Sequence, residues 1–183
     1  MNLFKKLGFL IVTGAMVLGV GLTLSNRGSN EVRAESTTVT VTRDDFTGES
    51  GYALGTWSKG ALSGEGVIYF TTTSYIQVST TAGRQPYPYN LVAAPGPITS
   101  ISVTMPGAGS LRTLTPRMSA SAPVSSPTGG TALEVKTFTS TTETLTWTIS
   151  SGLNYKFFQL VPGGNTNWAN FQITYEESVQ EFG

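Results

Sequence analysis

The stretch "NYKFFQLVPGGNTNWANFQITYEE", Asn154–Glu177, decides the fold. Two segments rich in aromatic and β-branched residues flank a Gly-Gly-Asn turn, and in the second segment large apolar residues alternate with polar ones. Alternation at every second residue is the pattern of a β-strand with one buried face. The stretch therefore predicts a closing antiparallel hairpin whose core residues are Phe157, Leu160, Phe171 and Ile173.

Short alternating segments of the same kind precede this stretch, each bounded by turn residues. The clearest is "ETLTWTIS" at 143–150, where Leu145, Trp147 and Ile149 share one face and threonines the other. "GVIYFT" and "SYIQVS" flank a threonine-rich turn, so they are predicted to pair as a hairpin. The segments are "TTVTVTR" (37–43), "GVIYFT" (66–71), "SYIQVS" (74–79), "ITSISVTM" (98–105) and "TALEVKTF" (131–138).

These segments predict an all-β chain. No amphipathic helical pattern follows the first 34 residues. Short strands with one apolar face each, separated by Gly- and Pro-rich loops, are typical of two packed antiparallel sheets. We therefore expect an antiparallel β-sandwich of about eight strands, either jelly-roll or Ig-like, preceded by an N-terminal hydrophobic signal helix.

The N-terminal segment has the pattern of a secretory signal. Two lysines precede an apolar run from Leu7 to Leu24, and Val32 and Ala34 occupy the small-residue positions of a cleavage site. The alternative is an uncleaved membrane anchor, because the apolar run reaches the length of a spanning helix. We therefore assign 1–34 as a signal peptide or anchor, and we expect the remainder to be secreted or held at the cell surface.

The rest of the chain divides into a β-sandwich domain at 35–177 and a solvated acidic tail at 178–183. The whole chain has 11 Lys/Arg and 11 Asp/Glu, and removing 1–34 leaves seven and ten, a net charge of −3. A sparsely charged, slightly acidic domain is a poor partner for phosphate backbones. Nucleic acid is therefore excluded as a partner, and a membrane is expected only through an uncleaved N-terminal segment.

The composition also argues against an enzyme. The chain has no cysteine and no histidine, so thiolate nucleophiles, Cys zinc sites and the usual general base are absent. The sequence has no nucleophile motif of the G-x-S-x-G or S-x-x-K type. A glycosidase needs two carboxylates in one cleft, and the sequence leaves open only a pair such as Glu65 with Glu134. We therefore predict no enzymatic activity and no cofactor other than a structural calcium ion.

Aromatic residues in segments that look like loops are the candidate ligand contacts. A planar ring can face the C–H side of a sugar while neighbouring amides bond its hydroxyls. The alternative is that the tryptophans cap the core and the tyrosines fix loops. The candidate ligand residues are Tyr52, Trp57, Tyr87, Tyr89, Asn165, Asn167 and Trp168.

A set of carboxylates is the candidate calcium site. Asp44 and Asp45 close the first predicted strand, and Glu176 closes the last one. If the two terminal strands lie side by side, these side chains could meet and bind calcium together with backbone carbonyls. The alternative is that the aspartates stabilise a turn at the strand end.

The order of the segments resembles a family of secreted β-sandwich accessory modules of gut bacteria, Mollicutes and related groups. These modules often stand beside extracellular nucleases or bacterial Ig-like domains. The resemblance covers 38–176 and implies a jelly-roll or Ig-like sandwich with a non-catalytic accessory role. The segments that carry it are "TVTVTRDDFTGESGYALGTWSKG" (38–60), "GVIYF" (66–70), "SYIQVS" (74–79), "PGPITSISVTM" (95–105) and "NYKFFQLVPGGNTNWANFQITY" (154–175).

Taken together, these features predict a secreted or cell-surface, non-catalytic module that binds carbohydrate or another extracellular ligand. The expected partners are an extracellular glycan or a surface protein. The alternative is a structural surface or adhesion protein without a small ligand, and a glycoside-active enzyme is the more distant alternative.

Overall fold

The computed structural model describes residues 32–71 and 74–180, and it is all-β apart from two short 3-10 turns at Arg43–Asp45 and Ser151–Leu153. The predicted all-β class with antiparallel sheets is therefore confirmed, whereas most of the predicted signal helix lies outside the described residues. The strands are β1 (Val32–Thr42), β2 (Phe46–Thr47), β3 (Tyr52–Lys59), β4 (Leu62–Tyr69), β5 (Ile76–Val78), β6 (Tyr89–Asn90), β7 (Ile98–Thr104), β8 (Thr113–Ser119), β9 (Thr131–Ala132), β10 (Lys136–Thr137), β11 (Thr144–Thr148), β12 (Phe157–Pro162), β13 (Thr166–Trp168) and β14 (Asn170–Gln180).

The strands form two larger antiparallel sheets and one small ribbon. One sheet has the order β1-β14-β7-β11, and the other has the order β10-β8-β12-β6-β4-β3-β2 with β9 beside β8. The ribbon pairs β13 with β5. Inward-facing residues of both larger sheets belong to one hydrophobic core, with Val41, Ile101 and Phe171 from the first sheet and Ile68 and Phe158 from the second.

The closing stretch is not a hairpin, although its four predicted core residues are all buried. Leu160, Phe171 and Ile173 belong to the main core, whereas Phe157 is buried outside it. β12 pairs with β8 and β6 in the larger sheet, whereas β14 pairs with β1 and β7 in the four-stranded sheet. After the Gly-Gly-Asn turn the chain therefore leaves the larger sheet, passes through the ribbon strand β13 and then enters the four-stranded sheet as β14. An alternating pattern specifies which face of a strand is buried, but it does not specify which strand lies beside it.

Other predicted pairings also change. "SYIQVS" forms β5, which pairs with β13 instead of the "GVIYFT" strand β4. "TALEVKTF" is no continuous strand: it contributes only β9 and β10, and Val135 between them is 58% exposed. The strand number rises from about eight to fourteen, because several two- or three-residue segments make separate pairings.

Strand pairing continues beyond both predicted boundaries of the domain. β1 begins at Val32, and Val32–Ala34 lie opposite Ser178–Gln180 of β14. The pairing therefore includes the last three residues assigned to the signal segment and the first three of the tail. Within 32–71 and 74–180, no helix has the length and apolar character needed to cross a membrane.

The central part of the outward face of the four-stranded sheet is uncharged. Its residues lie opposite one another across all four strands and are all Thr, Ser, Asn or Gln. We call this surface the threonine face. Its three rows are Thr42–Asn170–Thr104–Thr144, Thr40–Gln172–Ser102–Thr146 and Thr38–Thr174–Ser100–Thr148.

Candidate functional site

A groove at the β2 edge of the larger sheet is the candidate site. Its volume is about 340 Å³. We call it the Ser/Thr groove, because four of its residues present hydroxyl groups. It is lined by Asp45, Thr47, Thr56, Trp57, Ser58, Ser63, Gly64 and Leu91.

The β3–β4 hairpin places the hydroxyl groups on one face. Its two-residue turn is Gly60–Ala61, and Gly60 has a φ of +57°, a conformation that favours glycine. Across the hairpin Ser58 lies opposite Ser63, and these residues point outward because their neighbours Trp57 and Leu62 are buried in the core. The pattern "TWSK-GA-LSGE" contained this hairpin signal, which the sequence interpretation missed by treating the segment as a loop.

Asp45 supplies the only carboxylate that lines this groove. Its Oδ1 accepts a hydrogen bond from Lys59 Nζ at 2.8 Å, and its Oδ2 accepts bonds from the backbone N–H and the hydroxyl of Thr42. Burial opposes ionisation, but the hydrogen bonds from Lys59 and Thr42 outweigh it, so the pKa of Asp45 lies below its usual value of 3.8. The groove therefore contains an ionised carboxylate whose charge is balanced by an ammonium group.

Asp45→Asn is expected to lower the free energy of unfolding by about 1 kcal/mol at neutral pH. A depressed native pKa stabilises the fold above the unfolded pKa, and this contribution is lost as the pH falls through the native pKa. The difference between wild type and variant should therefore vanish well below pH 3.8. Urea unfolding at neutral pH and at a pH well below 3.8 measures this difference in the free energy of unfolding. The substitution Asp44→Asn, at the exposed neighbouring position, is the control. A pH-independent difference would contradict this account.

Trp57 and Trp168 belong to the core. Trp57 is 2% exposed, and its ring lies 5.5 Å from Phe171 and 6.3 Å from Phe158 between centroids. Trp168 is fully buried, opposite Ile76 in the small ribbon. The structure therefore shows the alternative in which the tryptophans are part of the core. Neither ring has an exposed face on which a sugar could stack.

Tyr87 and Tyr89 are also buried, although neither belongs to the main core cluster. The hydroxyl of Tyr89 donates to Glu65 Oε2 at 3.0 Å. Burial, together with this hydrogen bond and the charge of Glu65, raises the pKa of Tyr89 to about 12. These two tyrosines therefore act as packing residues in this structure.

Tyr52 is the one candidate aromatic that is partly accessible. The guanidinium of Arg84 lies 3.7 Å from its ring centroid, and the Tyr69 ring lies 4.8 Å away. Its hydroxyl accepts a hydrogen bond from Gln77 Nε2 at 3.0 Å, and Gln77 lies opposite Asn167 in the ribbon. The structure thus brings Tyr52 and Asn167 to the same region. The ring of Tyr52, however, is already in contact with Arg84 and Tyr69.

Asn165 holds the ribbon together. Its Oδ1 accepts hydrogen bonds from the hydroxyl of Ser79 at 3.0 Å and the backbone N–H of Thr80 at 2.9 Å. Asn165 is therefore engaged with the chain, and the seven predicted ligand residues do not form one site. Trp57 alone among them lines the Ser/Thr groove.

The predicted calcium ligands lie far apart. β1 and β14 do lie side by side, which is the condition that the calcium hypothesis required, but they are antiparallel, so the ends of the two strands are at opposite ends of the pair. Asn170 is opposite Thr42, next to the aspartates, whereas Glu176 is six residues further along, about 20 Å away. Asp44, Asp45 and Glu176 therefore cannot share one ion. Within 32–71 and 74–180 no group of three or more acidic residues has the arrangement of a metal site.

Glu65 and Glu134 are separated as well. Glu65 lies on β4, and Glu134 lies between β9 and β10 at the other side of the same sheet. Four strand spacings, about 19 Å, separate β10 from β4. A glycosidase pair requires its carboxyl groups within about 10 Å. This pair therefore lacks the required geometry.

Comparison with known proteins adds no relative. The chain matches no family model, and neither the curated proteins nor the solved structures contain a match to it.

Proposed function

We propose that the chain is a non-catalytic β-sandwich module of jelly-roll or Ig-like type that acts outside the cell and binds uncharged carbohydrate in the Ser/Thr groove. The observation that carries the proposal is the lining of this groove. It combines four hydroxyl side chains, one charge-balanced carboxylate and one exposed apolar residue, Leu91.

These groups suit a sugar better than an ionic ligand. Hydroxyl groups donate and accept hydrogen bonds, as sugar hydroxyls do. The carboxylate of Asp45 already accepts bonds from Lys59 and Thr42, and its Oδ1, which accepts only one of them, retains room for a further donor. Leu91 is 41% exposed and supplies an apolar wall for the C–H face of a ring. Since Lys59 already neutralises Asp45, the groove has no net charge that would favour an ion.

The architecture and the composition support an extracellular sandwich. Two antiparallel sheets contribute to one core, and the outer surface is rich in Thr and Ser. The N-terminal pattern of a secretory signal and the absence of cysteine fit delivery across a membrane without a disulfide framework. An accessory role beside another extracellular domain agrees with the family resemblance of the sequence.

A structural or adhesive role without a small ligand is the second candidate. The observation that favours it is the burial of Trp57, Trp168, Tyr87 and Tyr89, which removes four of the five rings considered for stacking. A glycoside-active enzyme is less well supported, because the groove presents the single carboxylate of Asp45.

A glycan array with the purified protein tests the proposal, using uncharged oligosaccharides in the presence of calcium. The groove variant is Thr56→Ala/Ser58→Ala, which removes two hydroxyl groups at exposed positions of β3. We expect it to lower affinity at least about tenfold, equivalent to two lost hydrogen bonds. The matched control is Thr146→Ala/Thr148→Ala, two exposed positions on β11, and its binding should be unchanged.

Two results would overturn the groove proposal. If the wild-type protein binds no glycan at high concentration, the structural or adhesive role becomes the working account. If the groove variant binds as tightly as the wild type, the ligand lies elsewhere on the molecule. Trp57→Ala and Trp168→Ala are unsuitable for this test, because both rings are in the core and their loss would report stability.

A further inference from the structure

β1 forms one edge of the four-stranded sheet. It pairs with β14 on one side, over its full length from Val32 to Thr42. On its other side, no hydrogen bond from the backbone of 32–41 to another described residue is present. The strand therefore presents a row of free backbone donors and acceptors, which is a template for another strand.

This edge lacks the devices that usually protect an edge strand. Its central segment "STTVTVT", 36–42, has no charge, no proline and no glycine, and every residue in it has high β-propensity or small size. Its pairing with β14 is regular, without a bulge. Segments of this kind pair readily with strands of other chains.

The opposite edge of the same sheet is covered. On β11 the Thr146 carbonyl accepts a hydrogen bond from Lys136 Nζ at 2.6 Å. The indole N–H of Trp147 donates to the Glu134 carbonyl at 2.7 Å. The segment around β10 thus lies over β11, and this contrast marks β1 as the sheet edge that is open to a partner.

We propose that β1 pairs antiparallel with β1 of a second copy of this chain. The two-fold axis lies at Val39, so Thr38 faces Thr40 of the second copy, and Thr37 faces Val41. In every facing pair the two residue numbers differ by an even number, so both residues lie on the same face of their strands. Valines therefore remain inward and threonines outward in both copies. Such an interface is isologous and closes as a dimer.

Charge complementarity supports this register. An axis at Val39 places Glu35 of one copy opposite Arg43 of the other, at both ends of the paired segment. Glu35 is exposed. Arg43 follows β1 in the first 3-10 turn, where its guanidinium lies over the Phe70 ring and donates to the backbone carbonyls of Phe46 and Phe70. These partners are uncharged, and no carboxylate lies within 4.0 Å of Arg43 among the described residues. The dimer therefore gives both groups an oppositely charged neighbour. It also joins the two threonine faces into one uncharged surface over eight strands.

Sedimentation equilibrium with a charge-swap pair tests the proposal. Thr38→Lys/Thr40→Lys places lysines opposite lysines across the axis, and we expect dimerisation to weaken by about tenfold or more. Mixing this variant with Thr38→Glu/Thr40→Glu should restore the dimer, because lysine then faces glutamate. The control, Thr146→Lys/Thr148→Lys on β11, should dimerise as the wild type does.

A cross-linking experiment tests the register independently of the stability of the lysine variants. The chain has no cysteine, so a mixture of Thr38→Cys and Thr40→Cys proteins should form a disulfide between copies, and Thr146→Cys should not. A wild-type protein that stays monomeric at high concentration would overturn the proposal. So would a lysine variant that dimerises as tightly as the wild type.

Discussion

Asn90→Asp is expected to lower the free energy of unfolding by more than about 4 kcal/mol. Asn90 is fully buried, and its Nδ2 donates to the carbonyls of Val92 at 2.8 Å and Lys156 at 2.9 Å. Its Oδ1 accepts from the backbone N–H of Phe158 at 2.7 Å. An ionised aspartate keeps the acceptor but cannot donate, so it places a buried negative charge against two carbonyl oxygens.

Comparison with Asn90→Ala separates charge from lost bonding. Alanine removes all three hydrogen bonds without adding a charge, so it should cost about 3 kcal/mol, less than aspartate. Chemical denaturation followed by tryptophan fluorescence measures both effects. Asn167→Ala is the matched control, because the Asn167 side chain forms no hydrogen bond with the part of the chain that the structure describes, and it should change stability by less than about 0.5 kcal/mol. Equal stability of the aspartate and alanine variants would contradict the assignment of the two donor bonds.

Gly64→Ala is the second substitution expected to have a large effect, about 3 kcal/mol or more. A methyl group at this position would collide with the backbone carbonyl oxygen of Tyr89 and would lie 2.6 Å from Cε2 and Cζ2 of Trp57. Neither neighbour can move freely, since the Tyr89 carbonyl belongs to β6 and the Trp57 ring is held by other aromatic rings.

A glycine in open surroundings provides the control for this substitution. At Gly152 the nearest atom to an added methyl group is Ser150 Oγ at 3.6 Å, an ordinary contact distance. Gly152→Ala should therefore change the midpoint of thermal unfolding little, whereas Gly64→Ala should lower it by several degrees or prevent folding. If both substitutions have equally small effects, then β4 and β6 do not approach each other as closely as the structure indicates.

The two glycine substitutions also show why sequence interpretation succeeded for the core and failed for the site. Period-two alternation correctly identified inward positions such as Leu145, Trp147 and Ile149. The glycine-rich segment 51–60 was interpreted as a loop, although Gly55 lies within β3, where the ring of Phe70 packs closely against the backbone. In the same way Gly64 lies within β4, against the ring of Trp57. A glycine that accommodates a ring and a glycine that forms a turn look alike in a sequence.

The sequence also did not determine which strands lie beside one another in the sheets. The apolar patterns of β12 and β14 fit a hairpin as well as they fit two separate sheets, and the choice depends on strands more than 50 residues away, such as β7. The same limit affected the candidate calcium site. Its hypothesis required only that the terminal strands be adjacent, whereas the relative direction of these strands decides where their ends lie. The strand β8 was missed because Pro116 interrupts its pattern, yet Pro116 lies opposite Leu160 within the sheet.

The adjacency of the two terminal strands has a mechanical consequence. Val32 and Gln180 lie opposite each other, so the first residue of β1 and the last residue of β14 are at the same end of the sheet. Tension applied between these two residues would pull β1 away from β14 at one end of the pair. The hydrogen bonds between the two strands would then break one after another instead of bearing the force together. Used as a link in a tensioned chain, the domain would therefore yield first along β1, the strand that borders the threonine face.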